Sequence, residues 1–187
     1  MSYDYLLKII TVGDFGVGKK ALVDTYADGC FTTSMIRGTS IPGDEFRTRR
    51  VNINNKMIKH QLFKTCSQEK FGKLSPAYYR RAHICVLVFD LTNLKSFENA
   101  CNFWIDDINE NTNCCEIIVV GTKSDLIERK VPQEQINDFC NKYSLPYFEV
   151  SAKKYETLQN IFHDATLKAI EKIGINVQKS TSRNKCF

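Results

Sequence analysis

The segment Gly13-Asp14-Phe15-Gly16-Val17-Gly18-Lys19 constrains what this chain can fold into more than any other. It follows an apolar run at 6–12 and opens a helical pattern at 19–27, so a strand ends and a helix begins around three glycines. This is a G-x-x-x-x-G-K loop in the strand–turn–helix setting that the motif requires. The glycines let the backbone wrap an anion, N–H groups converge at the helix N-terminus, and Lys19 reaches toward the same charge. Gly13, Asp14, Phe15, Gly16, Val17, Gly18, Lys19, Lys20 and Ala21 are therefore the expected phosphate-binding set. The glycine spacing is not G-x-G-x-x-G, which argues against a dinucleotide site.

The segments at 46–53, 57–63, 84–90, 117–121 and 147–150 are further expected strands. The first two are joined at Asn54-Asn55, a dipeptide suited to a tight hairpin. Helical patterns occupy 96–109, 133–143 and 158–173. Alternating strands and helices predict an α/β domain: a mostly parallel six-stranded sheet, helices on both faces, one antiparallel edge strand. One domain over 1–173 is expected, followed by a polar, mildly basic and flexible tail at 174–187.

The balance of 43% hydrophobic and 25% charged residues is ordinary for a globular protein, and the net charge of +5 is modest. Without an arginine-rich helix or a basic stripe interleaved with aromatics, nucleic acid is not an expected partner. No apolar run approaches the roughly 18 residues of a spanning helix, and the polar start at 1–5 predicts no signal peptide. The eight cysteines lack C-x-x-C spacing, which predicts reduced thiols in a cytoplasmic protein. His60, His83 and His163 are scattered, so no metal-binding cluster is expected from them.

Two segments point to a base. Gly121-Thr122-Lys123-Ser124-Asp125 and Val150-Ser151-Ala152-Lys153 each end a strand, and they resemble the guanine-recognition motifs T/N-K-x-D and S-A-K of small GTPases. A carboxylate at Asp125 can accept two hydrogen bonds from guanine that adenine cannot offer. The resemblance implies a G domain of the P-loop NTPase class that binds GTP or GDP through Thr122, Lys123, Asp125, Ser151, Ala152 and Lys153. It is strongest to the Rab family, on Tyr3-Asp4-Tyr5-Leu6, Gln68-Glu69-Lys70-Phe71, Tyr78-Tyr79-Arg80 and Ala82-His83. It implies an aromatic effector-facing surface of Phe46, Phe63 and Tyr78, protein effectors and regulators, and work in membrane traffic. Gln68 matches the water-positioning glutamine, and Cys186 is a candidate for lipidation that would join the tail to a cytosolic membrane face.

The chain departs from that pattern where the family holds magnesium, a cation that prefers oxygen ligands. The hydroxyl position after the loop lysine is Lys20, and the carboxylate position opening the second switch is Lys64. The first-switch threonine falls near Thr39, Ser40 and Ile41. Ammonium groups have no acceptor for a cation. Either the two lysines turn into solvent and water completes a magnesium shell, or one or both replace the cation's charge. Ser67 replaces a phosphate-contacting glycine, and Phe15 is bulky for its place, so any GTP hydrolysis is expected to be weak. A nucleotide-binding Rab-like protein with little magnesium dependence is expected, against an ordinary magnesium-dependent GTPase and a nucleotide-free adaptor.

Overall fold

In a computed structural model, residues 3–32, 46–65 and 72–181 are described, with side chains through 172. The expectations for Thr39, Ser40, Ile41, Ser67, Gln68 and Cys186 lie outside these residues. The elements run β1 (Tyr5–Val12), α1 (Lys19–Asp28), β2 (Phe46–Ile53), β3 (Lys56–Phe63), α2 (Pro76–Tyr79), β4 (Ile84–Asp90) and α3 (Leu94–Asn99). A π-helical turn at Ala100–Trp104 leads into α4 (Ile105–Asn111), then β5 (Glu116–Thr122), α5 (Gln133–Tyr143), β6 (Tyr147–Glu149) and α6 (Tyr155–Thr181).

The sheet has six strands in the order β2-β3-β1-β4-β5-β6. Only β2 runs antiparallel, joined to β3 by Asn54 and Asn55 at φ 51° and 61°, the left-handed pair a two-residue hairpin demands. This is the architecture expected from the sequence. Because β1 is flanked by β3 and β4, the chain leaves its C-terminal end at the point where strand order reverses. A crevice outside the strand ends forms there, and the glycine loop occupies it.

Strand alternation sorts the core onto two faces. Leu7, Ile9, Ile84, Val86, Val88, Ile118 and Val120 pack with Leu22, Tyr26 and Phe162 of α1 and α6. Ile10, Val12, Cys85, Leu87, Phe89 and Val119 pack with Trp104, Ile108 and Phe139 on the other side. Every residue of β4 is buried, as a central parallel strand covered on both faces requires. Three details exceed the sequence pattern. The short α2 starts from Ser75, whose side chain accepts from the Ala77 N–H, with Pro76 in the first turn. The helix expected at 96–109 is interrupted by the π turn. The last helix runs to Thr181, past Gly174, where the apolar periodicity ends. Cys30, Cys85, Cys101, Cys114, Cys115 and Cys140 are free thiols. Among the described residues, no helix is long and apolar enough to cross a membrane.

One core histidine is a buried polar link between helices. The Tyr26 hydroxyl lies 3.1 Å from Nδ1 of His60, and Thr166 Oγ1 lies 3.1 Å from its Nε2 while donating to the Phe162 carbonyl. The chain of donors is consistent when His60 is neutral and protonated on Nε2. Burial, with help from the Arg49 charge, lowers its pKa from 6.5 to about 4. A histidine depressed in the fold takes up its proton in the unfolded state first, so stability is full above pH 6.5 and is lost as pH falls toward 4. Urea titrations should show His60 alone removing about 3 kcal/mol across that window. His60→Gln should be less stable at pH 7 with a flatter slope; an unchanged slope would place the titration elsewhere.

Candidate functional site

The phosphate loop is shaped by contacts that only glycine permits. Gly13, at φ 144°, passes so close to β4 that a Cβ would lie 2.1 Å from the Val88 carbonyl oxygen. Gly18, at φ 99°, is the residue before α1 and offers no side-chain cap to the first-turn N–H groups. Those N–H groups and the positive end of the helix dipole face the loop, where an anion is the natural partner. The Lys19 ammonium folds over the loop and donates to the Gly13 carbonyl at 2.8 Å and the Asp14 carbonyl at 2.5 Å. Phe15 is 57% exposed.

Other elements brace this loop. Asp14 accepts from Asn99 Nδ2 and Trp104 Nε1, each at 2.7 Å. Residues five apart lie about 140° around an α-helix. The π turn, closed by the Ile105 N–H to the Ala100 carbonyl, brings Asn99 and Trp104 onto one side and lets both reach Asp14. From β5, the Thr122 hydroxyl sits 2.5 Å from the Val17 carbonyl and 3.0 Å from that of Phe89. It therefore couples the base-loop strand to the phosphate loop.

The segments at 121–125 and 150–153 converge at the ends of β5 and β6. Val150 N–H donates to Gly121 and Ser124 N–H to Val150. Lys123 adopts φ 61°, and its ammonium pairs with Asp90 at 2.6 Å. Asp125 meets the Lys153 ammonium at 2.7 Å. Hydrogen bonds from Lys153 and then Ser151 hold its carboxyl below the usual carboxylate range. It is thus an ionised acceptor, the state that recognition of two adjacent N–H donors needs. Ala152 lies between Ser151 and Lys153 in the turn after β6.

Lys64 is buried, and Lys20, about a third exposed, turns toward the same partner. Both converge on Asp24, a helix residue that sequence reasoning overlooked: Lys20 Nζ lies 2.7 Å from one carboxylate oxygen and Lys64 Nζ 2.7 Å from the other. Arg47 Nε stands 3.2 Å from the oxygen that Lys64 takes. The side chains of Asp24 and Lys64 are only 1% and 2% exposed. Burial opposes ionisation of Asp24, but the hydrogen bonds and charges of Lys20 and Lys64 outweigh it and lower the pKa. The i,i+4 spacing of Lys20 and Asp24 was visible in the sequence; the approach of Lys64 and Arg47 was not. A divalent cation needs oxygen ligands, and this corner presents ammonium groups around a carboxylate already shared among three cations. The described residues here do not fit one, and nowhere among them do three His, Cys, Asp or Glu side chains form a metal-holding group.

Beside this corner, Phe46 stacks on Phe63 with ring centroids 5.5 Å apart. The Tyr78 hydroxyl lies 3.1 Å from the carbonyls of Thr11 and Phe63. The Lys8 ammonium sits 4.8 Å from the Phe63 ring centre and donates to the Tyr78 carbonyl. The three aromatic residues expected to share a surface are therefore neighbours.

A glycine loop at the switch point of this sheet, facing an ionised aspartate on one strand end and a serine–alanine–lysine turn on the next, defines a guanine-nucleotide-binding G domain. The Ras family profile matches residues 8–172, and the chain belongs to that family of small GTPases, in its Rab branch. It is 37% identical to the Ras-related protein Rab-13 of Bos taurus over 175 residues, covering 92% of this chain and 84% of that protein. It is 39% identical to the Ras-related protein RAB1BV of Beta vulgaris over 163 residues, 86% of this chain and 74% of that protein. With the GTP-binding protein ypt1 of Schizosaccharomyces pombe it shares 33% over 185 residues, 96% and 88% of the two chains.

The tight passage of β1 past β4 generates a prediction. Gly13→Ala should lower unfolding free energy by roughly 2–4 kcal/mol through steric overlap and backbone strain, read by denaturant titration. A loss under about 0.5 kcal/mol would mean that the loop does not need this close approach.

Proposed function

We propose that this protein is a Rab-like GTP/GDP-binding protein of vesicle traffic, with slow or absent hydrolysis and reduced dependence on magnesium. The observation that carries the reading is the coexistence of an intact nucleotide cradle with a cation-filled metal corner. Gly13, Asp14, Phe15, Gly16, Val17, Gly18, Lys19, Lys20 and Ala21 line the phosphate end. Thr122, Lys123, Asp125, Ser151, Ala152 and Lys153 serve the base. Lys123 lies along the guanine plane, Asp125 accepts from its N–H groups, and the Ala152 N–H meets its carbonyl oxygen.

Weak hydrolysis follows from what the site supplies to the transition state. Developing phosphoryl charge is normally met by positioned donors and a metal ion. Here Lys20 and Lys64 are engaged by Asp24, and a bulky, exposed phenylalanine, Phe15, stands on the loop. Gln68 matches the water-positioning glutamine of the family. Effectors and regulators meet the face of Phe46, Phe63 and Tyr78. In this reading the protein works in the cytoplasm and at the cytosolic face of an intracellular membrane, with Cys186 as the lipidation candidate.

Asp125→Asn should lose GDP affinity and gain affinity for xanthosine diphosphate, measured by calorimetry, because one acceptor becomes a donor. Equal GDP affinity in parent and variant would refute the base assignment. Failure of the parent to bind either nucleotide would favour the adaptor.

GDP release by the parent should be nearly unchanged by EDTA, and single-turnover GTP hydrolysis should stay at or below about 10⁻⁴ per second. A variant with Lys20→Ser, Lys64→Asp and Asp24→Asn together should regain EDTA sensitivity. The third change is included because a carboxylate at 64 would otherwise meet Asp24. EDTA acceleration of release in the parent, or fast magnesium-dependent hydrolysis, would instead identify an ordinary GTPase.

A further inference from the structure

The residues that bind Asp24 have a second common feature. Arg47 follows Phe46 and Lys64 follows Phe63, and Phe46 and Phe63 are register partners at the end of the β2–β3 hairpin. Because side chains alternate across a sheet, the aromatic pair projects to one face and the two cations to the other, toward α1. Packing agrees: Phe63 and Tyr78 pack on the α3–α5 side, whereas Leu62, two residues before Lys64, packs with α1 and α6. The hairpin end is thus fastened on both faces, by aromatic stacking and the Tyr78–Phe63 bond on one and by Asp24 on the other.

In a G domain whose second switch begins with a carboxylate, the end of β3 is joined to the phosphates through a metal. In this chain the corresponding link is between protein atoms: Lys64 to Asp24, and Asp24 to Lys20 at the start of α1. Each ammonium has several donors, and the contact to Asp24 does not depend on a γ-phosphate. We infer that Asp24 is a positioning residue that fixes the Phe46–Phe63–Tyr78 face to the phosphate-loop helix, making the arrangement of that face insensitive to whether GDP or GTP is bound. This deepens the proposed function and rests on it for the nucleotide. A partner of this face would then be controlled by something other than the hydrolysis state.

Backbone amide hydrogen exchange tests this on the full chain, comparing GDP with guanosine thiotriphosphate. In the parent, exchange at 46–48 and 62–64 should agree within twofold between the two nucleotides. Asp24→Asn should speed exchange there at least tenfold, with a smaller change in β4 and β5. It should also introduce a nucleotide dependence, since the released ammonium of Lys64 turns to the phosphates; a residue of purely structural importance would raise both rates equally. Asp24→Glu, which keeps the charge, should restore agreement between nucleotides.

Should Asp24→Asn fail to fold, Arg47→Gln removes from a partly exposed side chain the charge that pairs with Asp24 and with Asp28, and should still speed exchange at 46–48. A tenfold nucleotide difference in the parent, or parent-like exchange in Asp24→Asn or Arg47→Gln, would overturn the inference. Calorimetry on the same samples separates the two proposals. Absence of binding defeats the nucleotide reading, while the comparison of parent with Asp24→Asn still reads the tether.

Discussion

A carboxylate taken out of water costs several kcal/mol unless cations go with it. Asp24 is buried on α1, and the cations that accompany it come from three places: Lys20 on its own helix, Arg47 on β2 and Lys64 at the end of β3. The electrostatic need of one side chain therefore decides where an edge hairpin meets a helix. It also decides the chemistry of the corner. Lys20 and Lys64 bring ammonium groups to it, and Asp24 pairs with both. Removing Asp24 would strand Lys64 in the interior; removing Lys64 would leave Asp24 with weaker or more exposed partners. Lys20, Asp24 and Lys64 are coupled, so a substitution at any one of them changes the electrostatics of the other two.

The nucleotide cradle is likewise held by bonds within the protein. Gly13 fits against the Val88 carbonyl, Asp14 is gripped by Asn99 and Trp104, and Thr122 reaches Val17. Such supports fix loop geometry before any ligand arrives, which reduces the ordering cost of binding. Thr122 achieves its link with a hydroxyl, so the short side chain at this motif position is sufficient to join base loop and phosphate loop. Asp125 is kept ionised by Lys153 and Ser151 and so stands ready as a hydrogen-bond acceptor. The loops are braced by contacts within the protein, and the hairpin end is tied separately, through Asp24, to α1.

Much of this was legible in the sequence because it is local or periodic. The strand pattern marked the sheet, Asn54-Asn55 marked the hairpin, and the segments at 121–125 and 150–153 do meet at neighbouring strand ends. What was missed depends on contacts across long separations. Lys64 and Asp24 are 40 residues apart, and no pattern within one element announces their meeting. The roles of Asn99 and Trp104 were hidden because they share a side only on a π turn, whereas an α-helix would splay them. The four residues of α2 are too few for periodicity to register, although Ser75-Pro76 is a starting signal. The extension of α6 through Gly174 runs against helix propensity, since glycine costs about 1 kcal/mol relative to alanine.

The central claim is that Asp24 and Lys64 form a true buried pair that organises the metal corner. A double-mutant cycle measures it directly: Asp24→Asn, Lys64→Met and the two combined, each unfolded in urea at pH 7. The account predicts large single losses and a coupling energy of about 2–4 kcal/mol, with the combined variant more stable than additivity allows. Additive effects, with coupling below about 0.5 kcal/mol, would show that the two side chains act independently and would contradict the account.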